Sequence, residues 1–251
     1  MGKHAQYGRM VMLEVVAVPA FSDNYIWLVH DEDSGGTAVV DPGDAAPVLA
    51  EARRRGWTID QIWNTHWHAD HTGGNLAIKS TCGARIFGPA REKIAGRDVA
   101  LKEGDELRLG NHVGRVIEVP GHTLGHIAFI FEQEEIAFVG DTLFVMGCGR
   151  LFEGSPAQMY RSLQRLAELP GGTRLYCAHE YTLANARFAV HAEPDNEAVA
   201  KRLACVRAMR EDGRITVPTS VAEERETNPF VRSTNEEEFA RRRAAKDSFR
   251  S

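Results

Sequence analysis

The sequence has few cysteines and no long apolar run. Only 4 cysteines occur among its 251 residues, and no two of them form a C-x-x-C pair. This spacing argues against a zinc ribbon or a thioredoxin-type motif, and the lack of a disulfide framework suits a reducing compartment. No stretch approaches the roughly 18 apolar residues of a membrane span, and the first ten residues contain no apolar run of the secretory type. We therefore expect a cytoplasmic protein with no membrane partner.

An excess of positive charge is also missing. Lysine and arginine together number 30 and oppose 35 acidic residues, which leaves a formal net charge of −5. A chain of this sign has no general attraction for a phosphate backbone, so we expect no nucleic-acid partner. The sequence also lacks a Gly-x-Ser-x-Gly elbow, which argues against a serine nucleophile. Cys148, flanked by two glycines, is an alternative nucleophile, although this tripeptide more simply supports the chain beneath a neighbouring site.

The hydrophobic pattern predicts a β-rich α/β region followed by helices. Strands are predicted over 12–20, 25–30, 37–41, 61–65, 84–87, 105–109, 113–119, 127–140 and 174–178. Helices are predicted over 45–55, 157–169, 196–211 and 236–248, with a proline-containing loop over 216–231. Strands are not predicted after about residue 182. The chain is therefore divided into a disordered or appended start (1–11), a catalytic domain (12–181) and a helical C-terminal domain (182–251).

Three imidazoles and one carboxylate lie within six residues, directly after the strand predicted over 61–65. These residues are His66, His68, Asp70 and His71. A lone histidine is more often a core or surface residue than a ligand, but three in one loop are hard to explain by packing. Histidines two positions apart on an extended segment project to the same side, so they can chelate one ion. The turn that follows can direct the other two side chains to a second ion.

Three further candidates follow predicted strand ends: His122, Asp141 and His179. Each alone has an ordinary explanation, as a strand-end histidine or as an aspartate that caps a turn. Together with the first motif they make seven imidazole and carboxylate groups, which is more than one four-coordinate ion can use. A donor set without thiolate suits zinc, iron or manganese. The sequence therefore predicts two divalent metal ions, with zinc as the first choice.

Four motifs in this order resemble the metallo-β-lactamase superfamily, and in particular glyoxalase II, the hydroxyacylglutathione hydrolases. They are H-x-H-x-D-H at 66–71, P-G-H-T at 120–123, G-D-T-L-F at 140–144 and A-H-E-Y at 178–181. Shorter matches lie at 22–25, 40–43, 147–150 and 228–230. The resemblance covers nearly the whole chain from about residue 12. It implies an αββα sandwich with the metals at one edge, followed by a small helical domain that binds substrate.

The resemblance also implies a role for each candidate ligand. One metal would be held by His66, His68 and His122, and the other by Asp70, His71 and His179. Asp141 would lie between the metals, together with a water or hydroxide. Asp70 is in addition the residue implied to orient that hydroxide for attack, and it is the predicted catalytic residue.

The other histidines and one aspartate are interpreted by the same comparison. Asp41 resembles a residue that orients the ligands. His126 either does the same or is an ordinary, partly buried strand histidine. The four remaining histidines match no motif and are predicted to lie at the surface: His4, His30, His112 and His191.

The implied reaction is hydrolysis of S-D-lactoylglutathione, and of related 2-hydroxyacyl thioesters, to D-lactate and glutathione. The residues implied to bind glutathione are Arg150, Phe152, Tyr181, Arg243 and Lys246. Composition alone favours another interpretation of the last two, as a solvated helix end balanced by the glutamates at 236–238. Phe152 departs from the many family members that have tyrosine there, so one contact to the tripeptide is missing.

Two alternatives come from different classes of function. A mononuclear-iron dioxygenase that acts on glutathione persulfide shares most ligand motifs, but it lacks the long helical tail with Asn-Pro-Phe and Arg-x-x-Lys. A non-catalytic binding scaffold on the same fold would be expected to have lost ligands, whereas all seven are present. We expect a monomeric enzyme.

Overall fold

The computed structural model describes residues 13–250, in which two six-stranded β-sheets pack face to face. The predicted start at 1–11 and His4 lie outside the described residues. The first sheet contains, in spatial order, β1 (Glu14–Ala20), β2 (Asn24–His30), β3 (Thr37–Val40), β4 (Gln61–Trp63), β5 (Arg85–Pro89) and β6 (Val99–Leu101). Strands β1 to β3 are antiparallel, and β3 to β6 are parallel.

The second sheet combines an antiparallel meander with one parallel strand. It contains β7 (Glu106–Leu109), β8 (His112–Glu118), β9 (Ile127–Phe131), β10 (Ile136–Gly140), β13 (Arg174–Cys177) and β14 (Thr219–Ser220). Strand β13 runs parallel to β10, and β14 pairs with the outer side of β13. A hairpin of two short strands, β11 (Leu143–Phe144) and β12 (Gly147–Cys148), follows β10.

Helices complete the layers on either side of the sheets. They are α1 (Ala45–Arg55), α2 (Ala69–Thr72), α3 (Asn75–Cys82), α4 (Pro156–Ala167), α5 (Thr182–Ala192), α6 (Glu197–Glu211), α7 (Val221–Thr227) and α8 (Glu236–Ser248). Within residues 13–250, no helix combines the length and the apolar character that crossing a bilayer requires.

Side-chain alternation along β2 shows how the first sheet is buried on both faces. Trp27 points between the sheets, where its ring lies 5.0 Å from that of Tyr176 on β13. Its neighbours Ile26 and Leu28 point the other way and pack in the cluster that contains Val48 of α1. Because successive strand residues face opposite sides, one continuous apolar strand serves two cores. The predicted αββα sandwich is confirmed.

The C-terminal helices share the core of the second sheet rather than forming one of their own. Three fully buried phenylalanines belong to the same cluster as the sheet residues: Phe188 of α5, Phe230 between α7 and α8, and Phe239 of α8. The predicted helices at 196–211 and 236–248 are confirmed. The division into two domains at residue 181 stays a prediction.

The predicted secondary structure was wrong in two segments. The run 127–140 is two strands joined by a turn in which Glu135 adopts a positive φ of 52°. The segment 216–231 is not only a loop, because it contains the short strand β14 and the helix α7. Ser220 begins that helix with a capping box, its side chain accepting from the Glu223 N–H, so a polar pattern that suggested a loop is a helix start.

The surface assignment of two histidines was also wrong. His30 and His112 are each only 8% exposed, whereas His191 is exposed as predicted. The imidazole of His112 lies between two carboxylates, with Nδ1 2.5 Å from Glu134 and Nε2 3.6 Å from Asp31. Asp31 and Glu134 follow the ends of β2 and β9, and His112 is the first residue of β8, so all three lie at the rim where β3 and β8 begin. The contact therefore links the two sheets at that rim.

Candidate metal centre and substrate cavity

The seven predicted ligand residues lie together at the opposite rim of the sandwich. His66 and His68 follow β4 of the first sheet, and the next turn of chain, α2, carries Asp70 and His71. The second sheet supplies the other three after the ends of β8, β10 and β13: His122, Asp141 and His179. The cluster therefore depends on both sheets and on their packing.

Three groups of three side chains have ligand atoms close enough to share an ion, and two of them divide six of the predicted ligands between them. The third, Asp41 with His66 and His71, shares one histidine with each of these two groups. In the first group, Nδ1 of His68 lies 3.1 Å from Nε2 of His66 and 3.0 Å from Nε2 of His122. In the second group, Oδ2 of Asp70 lies 3.5 Å from the Nε2 atoms of both His71 and His179. Each group thus directs three donor atoms to one point.

Asp141 lies between the two groups. Its carboxylate oxygens are 3.4 Å from His122 in the first group, and 3.4 and 3.5 Å from His179 and His71 in the second. Asp41 is also near a histidine of each group, but within 4 Å its carboxylate contacts only one of these histidines, His71, at 3.2 Å. Asp141 therefore occupies the position that a ligand shared by two cations requires.

The hydrogen bonding of the cluster fits a cation site. Both ring nitrogens of His71 and Oδ1 of Asp141 are buried without a hydrogen-bond partner. Nδ1 of His71 is 3.2 Å from Oδ2 of Asp41, but without hydrogen-bonding geometry. Buried polar atoms of native proteins are almost always satisfied, so three unsatisfied atoms that converge on one place indicate a bound group.

The carboxylates of the cluster are held in their ionised form. Burial raises the pKa of Asp141, but His71 and His179 outweigh it and hold the pKa well below its ordinary value. Burial likewise raises the pKa of Asp70, but the same two imidazoles, each 3.5 Å away, outweigh it and lower the pKa. Burial, and then His71, holds the pKa of His66 well below its ordinary value. Burial lowers the pKa of His71 and His179, but Asp141 outweighs it and raises both. A metal ion would displace their protons, because metal ions bind ionised carboxylates and neutral imidazoles.

Contacts behind the ligands set which nitrogen faces the site. Nδ1–H of His122 donates to the Arg150 carbonyl oxygen at 2.8 Å, and Nδ1–H of His179 donates to Asp23 at 2.8 Å. Each bond leaves the lone pair of Nε2 directed into the cluster. Outer hydrogen bonds of this kind fix the ring orientation of metal-binding histidines.

Asp41 and His126 both lie directly behind the cluster. Asp41 accepts from the Thr65 N–H at 2.7 Å and from its hydroxyl at 2.6 Å, which holds the chain that leads into His66. Nε2 of His126 accepts the Asp141 N–H at 3.1 Å, and its ring stacks on His66 at 4.6 Å. His126 is fully buried, so its geometry favours the ligand-orienting interpretation over that of an ordinary, partly buried strand histidine.

Sequence reasoning did not assign roles to Asp23 and Asn24. Asn24 donates from Nδ2 to Oδ2 of Asp70 at 3.2 Å, while Asp23 holds His179. The signal was a pair of polar residues between two apolar strands, within the 22–25 match. Their target could not be seen in the sequence, because it lies 46 residues away for Asn24 and 156 residues away for Asp23.

One cavity of 530 Å³ opens beside the cluster. Its wall includes the ligands His68, Asp70, His122, Asp141 and His179. The five predicted substrate-binding residues line it as well: Arg150, Phe152, Tyr181, Arg243 and Lys246. The volume is within the roughly 300–1,000 Å³ typical of small-molecule sites. Residues predicted from separate motifs, up to the last helix, therefore meet in a single cavity.

The basic residues of α8 divide between structure and cavity. Arg242 makes ion pairs with Glu193 at 2.8 Å and Glu238 at 2.7 Å, so it is a structural residue. Arg243 is 6% exposed, donates to the Cys148 carbonyl oxygen at 3.0 Å and pairs with Asp247 of the same helix at 2.8 Å, while its Nε has no partner and the residue lines the cavity. Lys246 donates to the Ala184 carbonyl oxygen at 3.0 Å. The helix-end interpretation thus applies to Arg242 and not to the two residues that line the cavity.

Two aromatic rings flank the ligands. Tyr181 stacks on His179 with ring centroids 4.7 Å apart, and Phe152 packs edge-on against His122 at 5.2 Å. Cys148 is buried, and burial raises its thiol pKa above the ordinary value, which disfavours the nucleophilic thiolate. Gly149 next to it packs against the Asp141 backbone, in keeping with a supporting role for the tripeptide.

The chain is similar to known proteins over nearly all of its length. Residues 20–179 match the family described as metallo-beta-lactamase superfamily, and residues 180–249 match the hydroxyacylglutathione hydrolase C-terminus. The hydroxyacylglutathione hydrolase of Methylococcus capsulatus is 53% identical over 232 residues, which cover 92% of this chain and 91% of that protein. Seven further relatives that are 48–53% identical carry the same name.

Solved structures share the fold at lower identity. ETHE1 from Myxococcus xanthus is 27% identical, with a TM-score of 0.71, over 94% of this chain and 90% of that chain. A second protein, solved in a di-iron-bound form, is 25% identical, with a TM-score of 0.61, over 86% of this chain and 99% of that chain.

The close approach at Gly149 gives a steric prediction. A Cβ at this position would overlap the Asp141 carbonyl oxygen and lie 3.2 Å from Nδ1 of His122. Gly149→Ala should therefore lower the free energy of unfolding by about 1–3 kcal/mol, the usual cost of overpacking. The measurement is urea denaturation. Gly171→Ala is the control, because its nearest atom would be a side-chain carbon at 3.5 Å. Equal losses in the two variants would contradict the steric argument.

Proposed function

Because the chain belongs to the metallo-β-lactamase superfamily and, within it, to the hydroxyacylglutathione hydrolases, we propose that it hydrolyses S-D-lactoylglutathione and related 2-hydroxyacyl glutathione thioesters. The products are the free 2-hydroxy acid and glutathione. The observation that carries this proposal is the single cavity in which a two-group His/Asp cluster meets cationic side chains of the last helix. Nothing in residues 13–250 favours the dioxygenase alternative over hydrolysis.

The His/Asp cluster supports divalent metal ions, and we propose that there are two of them and that they are zinc. His66, His68 and His122 would hold one ion, Asp70, His71 and His179 the other, and Asp141 both. Imidazole and carboxylate donors suit zinc but also accept iron or manganese. The di-iron form of a relative in fold supports a two-ion site and keeps iron as the alternative.

When bound, two such ions supply a water of lowered pKa near neutral pH and polarise the thioester carbonyl. Among the ligand side chains, we assign Asp70 the task of orienting the attacking water. Its side chain is 43% exposed to the cavity, whereas that of Asp141 is 8% exposed. Asn24 fixes Oδ2 of Asp70, so the carboxylate keeps one orientation toward the cavity.

The cationic wall is suited to a substrate with two carboxylates. We propose that Lys246, Arg243 and Arg150 attract the carboxylates of the glutathione moiety, because such charge-assisted contacts are stronger than neutral ones. Burial raises the pKa of Tyr181 above its ordinary value, so its hydroxyl stays protonated and can donate to the peptide. Phe152 offers its ring only.

We further propose that the enzyme acts as a monomer in the cytoplasm. The four cysteines are free, which suits a reducing compartment. A single copy of the chain supplies all the proposed ligands and substrate-binding residues, which favours a monomer.

The two-ion proposal predicts the effect of Asp141→Ala. Because Asp141 contacts both groups, its loss should reduce bound zinc from two equivalents to fewer than one and should abolish turnover of S-D-lactoylglutathione. Metal content of the zinc-loaded protein and the hydrolysis rate are the measurements. Asp195→Ala, at an exposed position, should change neither. Full activity of wild-type protein with one equivalent under zinc-replete conditions would overturn the proposal.

The proposed role of Lys246 predicts a pH-dependent KM. Burial, and then the nearby Arg243 guanidinium, lowers the pKa of Lys246 to about 8. As pH rises through 8, the ammonium loses its charge and its attraction for carboxylate, so KM should rise. Lys246→Arg stays charged in this range, and its KM should stay flat between pH 7 and 9. The same rise in both proteins would place the effect in the substrate and not in Lys246.

The exposed ring of Phe152 predicts a gain for Phe152→Tyr. The ring is 61% exposed and lines the cavity, so an added hydroxyl would not be buried without a partner. One neutral hydrogen bond contributes about 0.5–1.5 kcal/mol, so KM for the glutathione thioester should fall by about two- to twelvefold. A simple thioester without the tripeptide is the control, and its KM should not change. An unchanged or higher KM for the glutathione thioester would contradict the contact.

A further inference from the structure

Glu92 is a buried carboxylate that the proposed reaction does not use. It lies after β5 of the first sheet, and the residue is 7% exposed. Burial raises its pKa to about 7, and one of its oxygens, Oε2, has no hydrogen-bond partner. A buried acid in this state costs free energy, so its position calls for an explanation.

The contacts of Glu92 lead to the loop of the second sheet that carries His122. Its Oε1 accepts from the Thr123 hydroxyl and, at 3.1 Å, from the Gly125 N–H. Thr123 is fully buried, so water cannot replace the carboxylate. The carboxylate side chain also packs directly on Gly125, where a Cβ would overlap it. The loop from 119 to 126 is therefore held from the side of the first sheet.

Glu92 itself belongs to the first sheet, beside the loop that carries His66 and His68. It follows β5, which pairs in parallel with β4, the strand that leads into these two histidines. On the exposed side, Glu153 links the same two loops, accepting from Trp67 Nε1–H at 3.0 Å and from the Leu124 N–H at 2.9 Å. Solvent competes for the exposed link, so the buried one is the more effective constraint.

We propose that Glu92 is a positioning residue that sets the spacing between the two halves of the three-histidine group. His66 and His68 come from one sheet and His122 from the other, and Glu92, which follows the strand next to β4, is the buried side chain that ties the His122 loop to the first sheet. This inference rests on the proposed function, because it assigns Glu92 to the ion that these histidines would hold. It predicts that one of the two ions depends on Glu92 and the other does not.

The experiment is a competition titration of the metal-free protein with Zn²⁺ and a chromophoric chelator. Wild type should bind two equivalents. Glu92→Ala should weaken one equivalent by about 10–100-fold, the usual effect of removing a residue behind a metal ligand, and leave the other unchanged. Glu92→Gln keeps an acceptor oxygen for Thr123 and Gly125, so its binding should be close to that of wild type.

Glu134→Ala is the matched control. Glu134 is also a buried glutamate, with a 9% exposed side chain, one histidine contact and an unpartnered Oε2, but it lies at the opposite rim. Its loss should lower the free energy of unfolding of the metal-free protein and leave both zinc affinities unchanged. If Glu134→Ala weakens zinc as much as Glu92→Ala, the effect is one of general stability and the proposal is overturned.

The remaining outcomes also decide the question. Unchanged binding of both ions in Glu92→Ala overturns the role of Glu92. If Glu92→Ala does not fold, Thr123→Val removes the same link from the other side. A weaker single ion in that variant supports the proposal, and unchanged binding overturns it. If wild type binds only one ion, the two-ion function fails, while the role of Glu92 is still decided by whether its loss weakens that ion.

Discussion

The Asp141 carboxylate is the contact on which the geometry of the metal rim depends. It comes directly after β10, in the middle of the second sheet, and lies within 3.5 Å of imidazoles from both groups. His126 holds its backbone N–H, and Gly149 packs on its carbonyl oxygen. Its position is thus set from behind by the core and from the side by the hairpin, so the cluster inherits the rigidity of the sandwich.

Those features that depend on local chemistry could be predicted from the sequence. The helix at 45–55 begins at Asp44, which caps it, and ends at Gly56 with a φ of 73°, as expected of its residues. The ligand candidates could be found because imidazoles crowd one loop and strand ends carry the rest. The substrate-binding residues could be predicted only from resemblance to a family. Basic residues on one helix do not by themselves indicate whether they face a cavity or the solvent.

Those features that depend on long-range packing could not be predicted from the sequence. Asp23 reaches His179 of the other sheet, and Asn24 reaches Asp70, 46 residues away. Glu92 meets Thr123 through a buried contact 31 residues away. Arg242 and Arg243 are adjacent in the sequence, yet one pairs with Glu193 and the other lines the cavity. A difference of one position turns a helical residue by about 100°, and only the packed neighbours decide which face is which.

The two rims of the sandwich are closed by different means. At the rim opposite the metals, His112 lies between Asp31 and Glu134, so the chain supplies every group of that contact itself. That end can form as the polypeptide folds, with no ion present. The metal-free chain is accordingly expected to fold first and to bind its metal ions afterwards. The ion it carries would then reflect the supply of metals where the protein matures, and two preparations of one sequence could differ in metal without differing in fold.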